Sequence, residues 1–375
     1  FSSRRRHTRF RNVTGVQTCA LPIFPAIVGP FNVFDARLFL NQSVFDLGSI
    51  NGMRAEDHAL AASRHSLKQA RDMVVLVAAN LYLQSVAADA RAQSARAHRD
   101  TAEAIFNQAN DLKTSGIVAG IDVIRSEVRL ATERQRVTAA ENDLQKTRLQ
   151  LARVIGLPVG QEFTLSDQIP YVPLPEMTLQ EALDRAYRDR PDYLAAQERV
   201  RAAESRRQAA IGEALPSVQV NADWGAIGLT AGSARKTYTL MGSVNVPIFE
   251  GGRTQGRLLE ADAELKTRRA EAEDLKSEIY YDVQSAFLDL RATGEQLQVA
   301  TRARDLAGQQ LTQARDRFGA GVANNIEVVQ AQEAVALASE QYIGALYSFN
   351  VAKAVLARSL GTAEEAVQRY LGGGN

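Results

Sequence analysis

The chain repeats itself at a nearly fixed separation. Phe45-Asp46-Leu47-Gly48 stands 204 residues before Phe249-Glu250-Gly251-Gly252. Gly116 and Asp122 stand 205 before Gly321 and Glu327, and Leu151-Ala152-Arg153 stands 205 before Leu356-Ala357-Arg358, with Gly156 on Gly361. A single one-residue slip over such a span marks a duplicated unit. The fold must therefore be assembled from two copies of one supersecondary element, residues around 31–156 and 235–361. Each copy reads as a strand, a long helix, a glycine-containing turn and a shorter helix.

The helical part is read best in the second copy. A 4-3 spacing from Ile279 visits Val283, Ala286, Leu290, Thr293, Leu297, Ala300, Arg304, Ala307, Leu311, Ala314 and Phe318, and ten of these twelve positions are apolar. That is a coiled-coil seam, and its alanines allow close approach. Shifting it by 205 predicts Val74, Ala78, Leu81, Ser85, Ala88, Ala92, Ala95, Arg99, Ala102, Phe106, Ala109 and Lys113 for the first copy. The 6% of aromatic residues against 45% hydrophobic ones agrees with helices packed through small side chains. No proline interrupts Gly252 to Phe318. At 1.5 Å per residue the helix would reach about 100 Å, a length that only a coiled-coil or helical-barrel setting stabilises.

Three alternating runs predict strands. Tyr238, Leu240, Val244, Val246 and Ile248 oppose Thr239, Met241, Ser243 and Asn245. Phe34, Ala36, Leu38 and Leu40 oppose Asp35, Arg37 and Asn41, and Val218, Val220, Ala222 and Trp224 oppose Gln219, Asn221 and Asp223. Each run is long enough for a tilted membrane strand, although any half-buried sheet alternates in the same way. No run of 18 or more apolar residues occurs, so no transmembrane helix is expected; a bilayer would be crossed as a closed β-barrel.

The remaining segments divide the chain. Residues 1–23 carry Arg4, Arg5, Arg6, Arg9 and Arg11, no acid, and the single cysteine, Cys19. Val13 to Ile23 looks like a sequencing adaptor translated in frame, so the segment is expected to be non-native and the natural N-terminus to be missing. Without it the formal net charge moves from +1 to −4, and no cysteine remains, which suits an exported protein. The first repeat is placed at 24–156, a connecting segment with short helices and a strand at 157–234, the second repeat at 235–361, and a loose C-terminus at 362–375. In the connector, Pro158, Pro170, Pro173 and Pro175 predict an extended path. Thr178-Leu179-Gln180-Glu181 predicts a capping box, Pro191 the first turn of a following helix, and Pro216 a limit to that helix.

Catalytic constellations are absent from the sequence. His58 and His65 are seven apart and cannot readily share a metal on one helix, and the histidines are expected on the surface. There is no phosphate loop and no dinucleotide fingerprint, so no cofactor, metal or nucleic-acid partner is expected. Gly251-Gly252-Arg253 is expected to form, with Pro247, a strand-to-helix bend rather than an anion site. The charge runs read as solvated helix faces.

Val246-Pro247-Ile248-Phe249-Glu250-Gly251-Gly252 leads from a strand into a very long helix. Arg317-Phe318-Gly319-Ala320-Gly321 precedes Asn325-Ile326-Glu327-Val328-Val329-Gln330-Ala331-Gln332. Together with Arg190-Pro191-Asp192-Tyr193, and over residues 31–361, these segments resemble the TolC-like outer-membrane efflux protein family. The resemblance implies a mainly α fold with transmembrane β: a trimeric β-barrel in the outer membrane, continued by a periplasmic α-helical barrel. It implies a passive conduit for drugs, small molecules or proteins and not an enzyme. The implied partners are two further copies, a periplasmic adaptor protein, an inner-membrane efflux transporter and outer-membrane lipid. Four strands per protomer are implied where three are found, and the missing one would lie where residues 1–23 stand. The turns at Lys113–Asp122 and Phe318–Glu327 would form the periplasmic tip. There Gly116, Ile117, Gly319, Gly321, Val322, Asn325 and Ile326 would meet the adaptor, and Asp122 and Glu327 would face the pore as gate residues. For Glu327 a plain capping box with Asn324 competes with a ring of three carboxylates. In the family an arginine often helps latch the tip, whereas the position here is Ala323. Other classes stay open: a periplasmic adaptor has one helical hairpin rather than two fed by strands, and a soluble structural coiled coil needs no amphipathic strands.

Overall fold

A computed structural model of the chain describes residues 32–165, 177–320, 322–323 and 325–364. Residues 1–23, the proline-rich 166–176 and the tail beyond 364 lie outside the described residues. The order is β1 (Phe34–Phe45), α1 (Leu47–Thr114), α2 (Gly120–Val154), α3 (Leu179–Asp189), α4 (Pro191–Gly212), β2 (Ser217–Gly228), β3 (Arg235–Asn245), α5 (Arg253–Gly319) and α6 (Asn325–Ser359). The duplication appears in the helix lengths: α1 has 68 residues and α5 has 67, while α2 and α6 each have 35.

The helix ends are duplicated as well. Ile117 N–H donates to Leu112 O at 2.9 Å, and Val322 N–H donates to Arg317 O at 3.1 Å. Leu157 N–H donates to Ala152 O at 2.9 Å, and Thr362 N–H to Ala357 O at 3.0 Å. Both pairs are 205 apart, and each bond reaches back five residues, as in a Schellman stop. Gly116, Gly156 and Gly361 hold the left-handed conformation such a stop needs, with φ of 76°, 73° and 73°.

The second-copy seam packs as its spacing predicts. Ile279, Val283, Ala286, Leu297, Ala300, Ala307, Ala314 and Phe318 are buried, and the other four positions are half-buried. The first copy departs from this over the first half of α1. Val74 is 60% exposed, and the buried positions there are Asp72, Ala79, Leu83 and Val86. From Ser85 to Ala109 the predicted register returns through Ala88, Ala92 and Ala102. The early part of α1 packs on α4, through contacts such as His58 with Glu198 and Ser66 with Arg199, whereas the α1–α2 pairs lie from Asp89 onward, and this change of neighbour rotates the buried stripe. α1 also contains an 18-residue stretch of mean hydropathy 1.5, one-third buried, which is long and apolar enough to cross a membrane by length and composition alone. An uninterrupted-run criterion misses it, because scattered polar residues break the run without lowering the mean.

In the connector, Thr178 Oγ1 accepts from Glu181 N–H at 3.3 Å, and the Glu181 carboxylate accepts from Thr178 N–H at 2.9 Å, completing the capping box. Pro191 opens α4, which stops at Gly212, short of Pro216. Arg190 between the two helices is buried; it donates to Asp192 at 2.7 Å and to Asp282 on α5 at 3.0 Å. Around it, Leu183 and Ala186 of α3, Ile279 and Val283 of α5, and Leu356 and Leu360 form one apolar cluster that ties the connector to the second repeat. Gly361 crosses this point so closely that a Cβ there would lie 2.7 Å from the Arg190 backbone.

The strands and the helices form two compact units. β1, β2 and β3 make one antiparallel sheet in that order. The register puts Leu38, Trp224 and Tyr238 in one row and Leu40, Ala222 and Leu240 in another on the same face. Leu38, Trp224, Tyr238 and Leu240 are all more than 60% exposed. The opposite face carries Arg37, Asp223, Asn41, Asn221, Gln219 and Thr239. A mainly apolar face backed by a mainly polar one, which also carries Phe39 and Met241, is the pattern of a membrane barrel wall. A bulge between Ser43 and Phe45 ends the β1 ladder just before α1.

Candidate functional site

The two hairpin ends and the seam between them carry the features that sequence reading singled out. At the first end, Gly116 N–H donates to Lys113 O at 2.9 Å, and Ile117 is 61% exposed. At the second, Gly319 closes α5 and Val322 is 69% exposed; Gly321 and Asn324 lie outside the described residues. Ile326 is exposed as well, as are Ile121, Ile124 and Val128 one to two turns into α2. The end therefore presents branched apolar side chains to solvent, which marks a surface suited to a partner.

Asp122 and Glu327, separated by 205 positions, occupy corresponding first turns of α2 and α6. Asp122 Oδ1 pairs with Arg125 at 3.2 Å, and Glu327 Oε2 pairs with Arg317 Nε at 3.5 Å. Both carboxylates have local cationic partners. A cap for Glu327 from Asn324 falls outside the described residues.

Asn325 does something its sequence position does not announce. It is fully buried, and its Nδ2 donates to Asp122 O at 2.8 Å and to Ser126 Oγ at 2.6 Å. Its side chain is directed into the protein and not toward a partner, and it ties the start of α6 to the start of α2. Farther along the same seam, Glu133 of α2 is 1% exposed and accepts from Arg129 at 2.7 Å and from Arg136 at 3.0 Å. Glu333 of α6 takes both arginines, Arg136 at 3.0 Å and Arg129 by a short contact. These hydrogen bonds hold the Glu333 carboxyl below the usual carboxylate range, Arg136 contributing most. Bonds spanning about 200 residues leave no mark in a local pattern; a buried serine and asparagine near the two helix starts are the only hint.

A groove of about 670 Å³ opens between α1, α2 and α6, lined among others by Arg91, His98, Glu133, Arg136 and Glu340. The histidines are less exposed than expected. His98 is half-buried beside Ser94 at 3.1 Å, and burial lowers its pKa despite the pull of Glu133. His58 contacts Glu198 at 2.7 Å.

The strand-to-helix corners are solved differently in the two copies. In the first, Asp46 caps α1 by accepting from Gly48 N–H at 2.9 Å and Ser49 N–H at 3.3 Å. In the second, after Pro247, Gly251 and Gly252 take φ of 61° and 85°, and Gly252 is the N-cap of α5. Glu250, the counterpart of Asp46, accepts from Thr254 Oγ1 and Arg253, each at 2.6 Å. The double glycine makes a turn here.

A family profile described as outer membrane efflux protein matches residues 29–157 and 182–362. The pyoverdine export outer membrane protein OpmQ of Pseudomonas putida is 24% identical over 338 residues, covering 88% of this chain and 70% of the relative. The toluene efflux pump outer membrane protein TtgF of Pseudomonas putida is 26% identical over 253 residues, 65% of this chain and 52% of the relative. This chain thus spans about half of that protein's length. The open-state MtrE outer membrane channel of Neisseria gonorrhoeae superposes with a TM-score of 0.74 at 16% identity, over 89% of this chain and 81% of that one.

Proposed function

This chain belongs to the outer membrane efflux protein family, and on that premise we propose that three copies assemble into a passive duct that an inner-membrane transporter feeds through a periplasmic adaptor. Its place is the outer membrane, with the helices in the periplasm. The observation that carries the reading is the pairing of a one-sided apolar sheet with two duplicated helix hairpins. A few strands per protomer cannot close a barrel, and the apolar face buries its area in lipid only if sheet edges pair between copies. The long helices then leave Met73, Val74 and Val77 of α1, exposed on one protomer, to pack against neighbouring copies.

Passing a solute through a duct requires no chemistry from the protein, so the reading is of a conduit and not an enzyme. The apolar hairpin ends, with Ile117, Val322 and Ile326, are where an adaptor would dock, and Asp122 and Glu327 are where the pore would narrow. What OpmQ and TtgF carry, as their names state, suggests small organic solutes as cargo. Cross-linking of the full-length protein in native membranes is expected to stop at three subunits. A detergent-free soluble monomer would remove the membrane assignment.

A further inference from the structure

The polar face of the sheet carries a built charge cluster. Gly225 pairs with Arg37 across β1 and β2, and a Cβ on Gly225 would lie 2.1 Å from Ala36 O and 2.8 Å from Arg37 Cγ. The missing side chain lets the Arg37 stem lie down on the sheet. The guanidinium then donates to Asp35 from Nε at 2.7 Å and from Nη2 at 2.6 Å. Its Nη1 stands 3.5 Å from Asp223 Oδ1, and its Cζ lies 5.4 Å from the Phe39 ring centre. Asp223 Oδ1 is buried and has no hydrogen-bond partner, so the Arg37 charge is what compensates it. Register places Arg235 in the row of Asp35 through Ile227. All four charged residues share the face opposite Leu38, Trp224 and Tyr238.

We propose that Arg37 sets the charge selectivity of the duct, by bridging two carboxylates and, together with Arg235, cancelling the charge that the lumen wall would otherwise present to passing solutes. The inference rests on the duct reading above, which turns the polar face toward the lumen. With Arg37 in place, Asp35, Asp223, Arg37 and Arg235 sum to no net charge, and the wall favours neither sign. Without it, each protomer leaves one carboxylate uncompensated, and a three-copy ring would focus cations in the bore. Gly225 is the enabling residue, because any side chain there displaces the arginine.

The test uses the assembled full-length channel in planar bilayers, with a gradient from about 10 to about 100 mM KCl so that screening lengths of roughly 30 to 10 Å leave wall charges visible. Arg37→Gln is expected to raise the cation-over-anion permeability ratio roughly twofold or more. The pair Asp35→Asn/Asp223→Asn is expected to move it toward anions, and the double variant Arg37→Gln/Asp223→Asn, which again sums to no net charge, to return it near the parent value. If Arg37→Gln fails to insert, the asparagine pair alone decides. A conducting variant of either kind with an unchanged ratio overturns the proposal but leaves the duct intact. A parent protein that forms no channel sinks the duct reading and this proposal with it.

Discussion

Lys353 of α6 is 1% exposed, with its ammonium 3.4 Å from Asn350 Oδ1 and 5.6 Å from the Phe349 ring centre. Burial pushes its pKa down to about 8 from the ordinary 10.5. The native state therefore releases this proton near pH 8, whereas the unfolded chain keeps it to about 10.5. Below pH 8 both states are protonated, and the folded one bears the cost of a buried cation, on the order of 3 kcal/mol. Stability should rise as pH climbs from about 8 to about 10.5. Melting of the detergent-solubilised protein is expected to show that rise, and Lys353→Met to melt higher at pH 7 and to lose this part of the pH dependence. A parent whose melting point falls across that window, with no difference from Lys353→Met, would contradict the assignment. Alternation and heptad spacing do not disclose such a residue, because a lysine on a seam looks like any other exception to the pattern.

At the scale of elements, the contact between α2 and α6 is polar where those inside each hairpin are apolar. Asn325 bridges to Asp122 and Ser126, and Arg129, Arg136, Glu133 and Glu333 form a four-residue network above it. Apolar seams such as Ile105, Ala314, Phe318, Val328 and Ala331 fill space and tolerate small slips. A buried polar network does not, since each lost partner leaves a desolvated group behind. Asn325→Ala should cost about 1–2 kcal/mol locally. Hydrogen exchange is expected to quicken at the first turns of α2 and α6 and to stay unchanged around Arg190. Equal acceleration at both places would mean that Asn325 supports the whole fold and does not act as a local clasp.

For the whole molecule, the proposed three-copy duct would bring the second hairpin end of each protomer together. Glu327 pairs with Arg317 at 3.5 Å in one protomer, and that exposed pair contributes little to stability. Convergence of three copies at the tip would still bring three carboxylates toward one axis. Glu327→Gln can keep a hydrogen bond but carries no charge. In bilayer recordings of the full-length channel it is expected to weaken block by multivalent cations while thermal stability hardly moves. Unchanged conductance and block would reduce Glu327 to a local partner of Arg317 and place the gate elsewhere.

The amino-acid sequence by itself determined the duplication, the helix lengths, the glycine stops and the two faces of the strands. The duplication shows as matches 204 to 205 residues apart, and the rest is written in short-range periodicity: a strand alternates every second residue, a seam recurs every three or four, and a stop needs one glycine within a turn. The tertiary structure alone decided which α1 positions are buried before Ser85, where α4 takes the place that α2 holds farther along the helix. It alone joined Asn325 to Asp122 and Arg129 to Glu333, about 200 residues apart, and laid Arg37 over Gly225 between two carboxylates. Those contacts depend on which surfaces meet once elements pack, and a polar residue's partner can lie anywhere along the chain. Periodicity can say that a face will be covered. Only packing says by what.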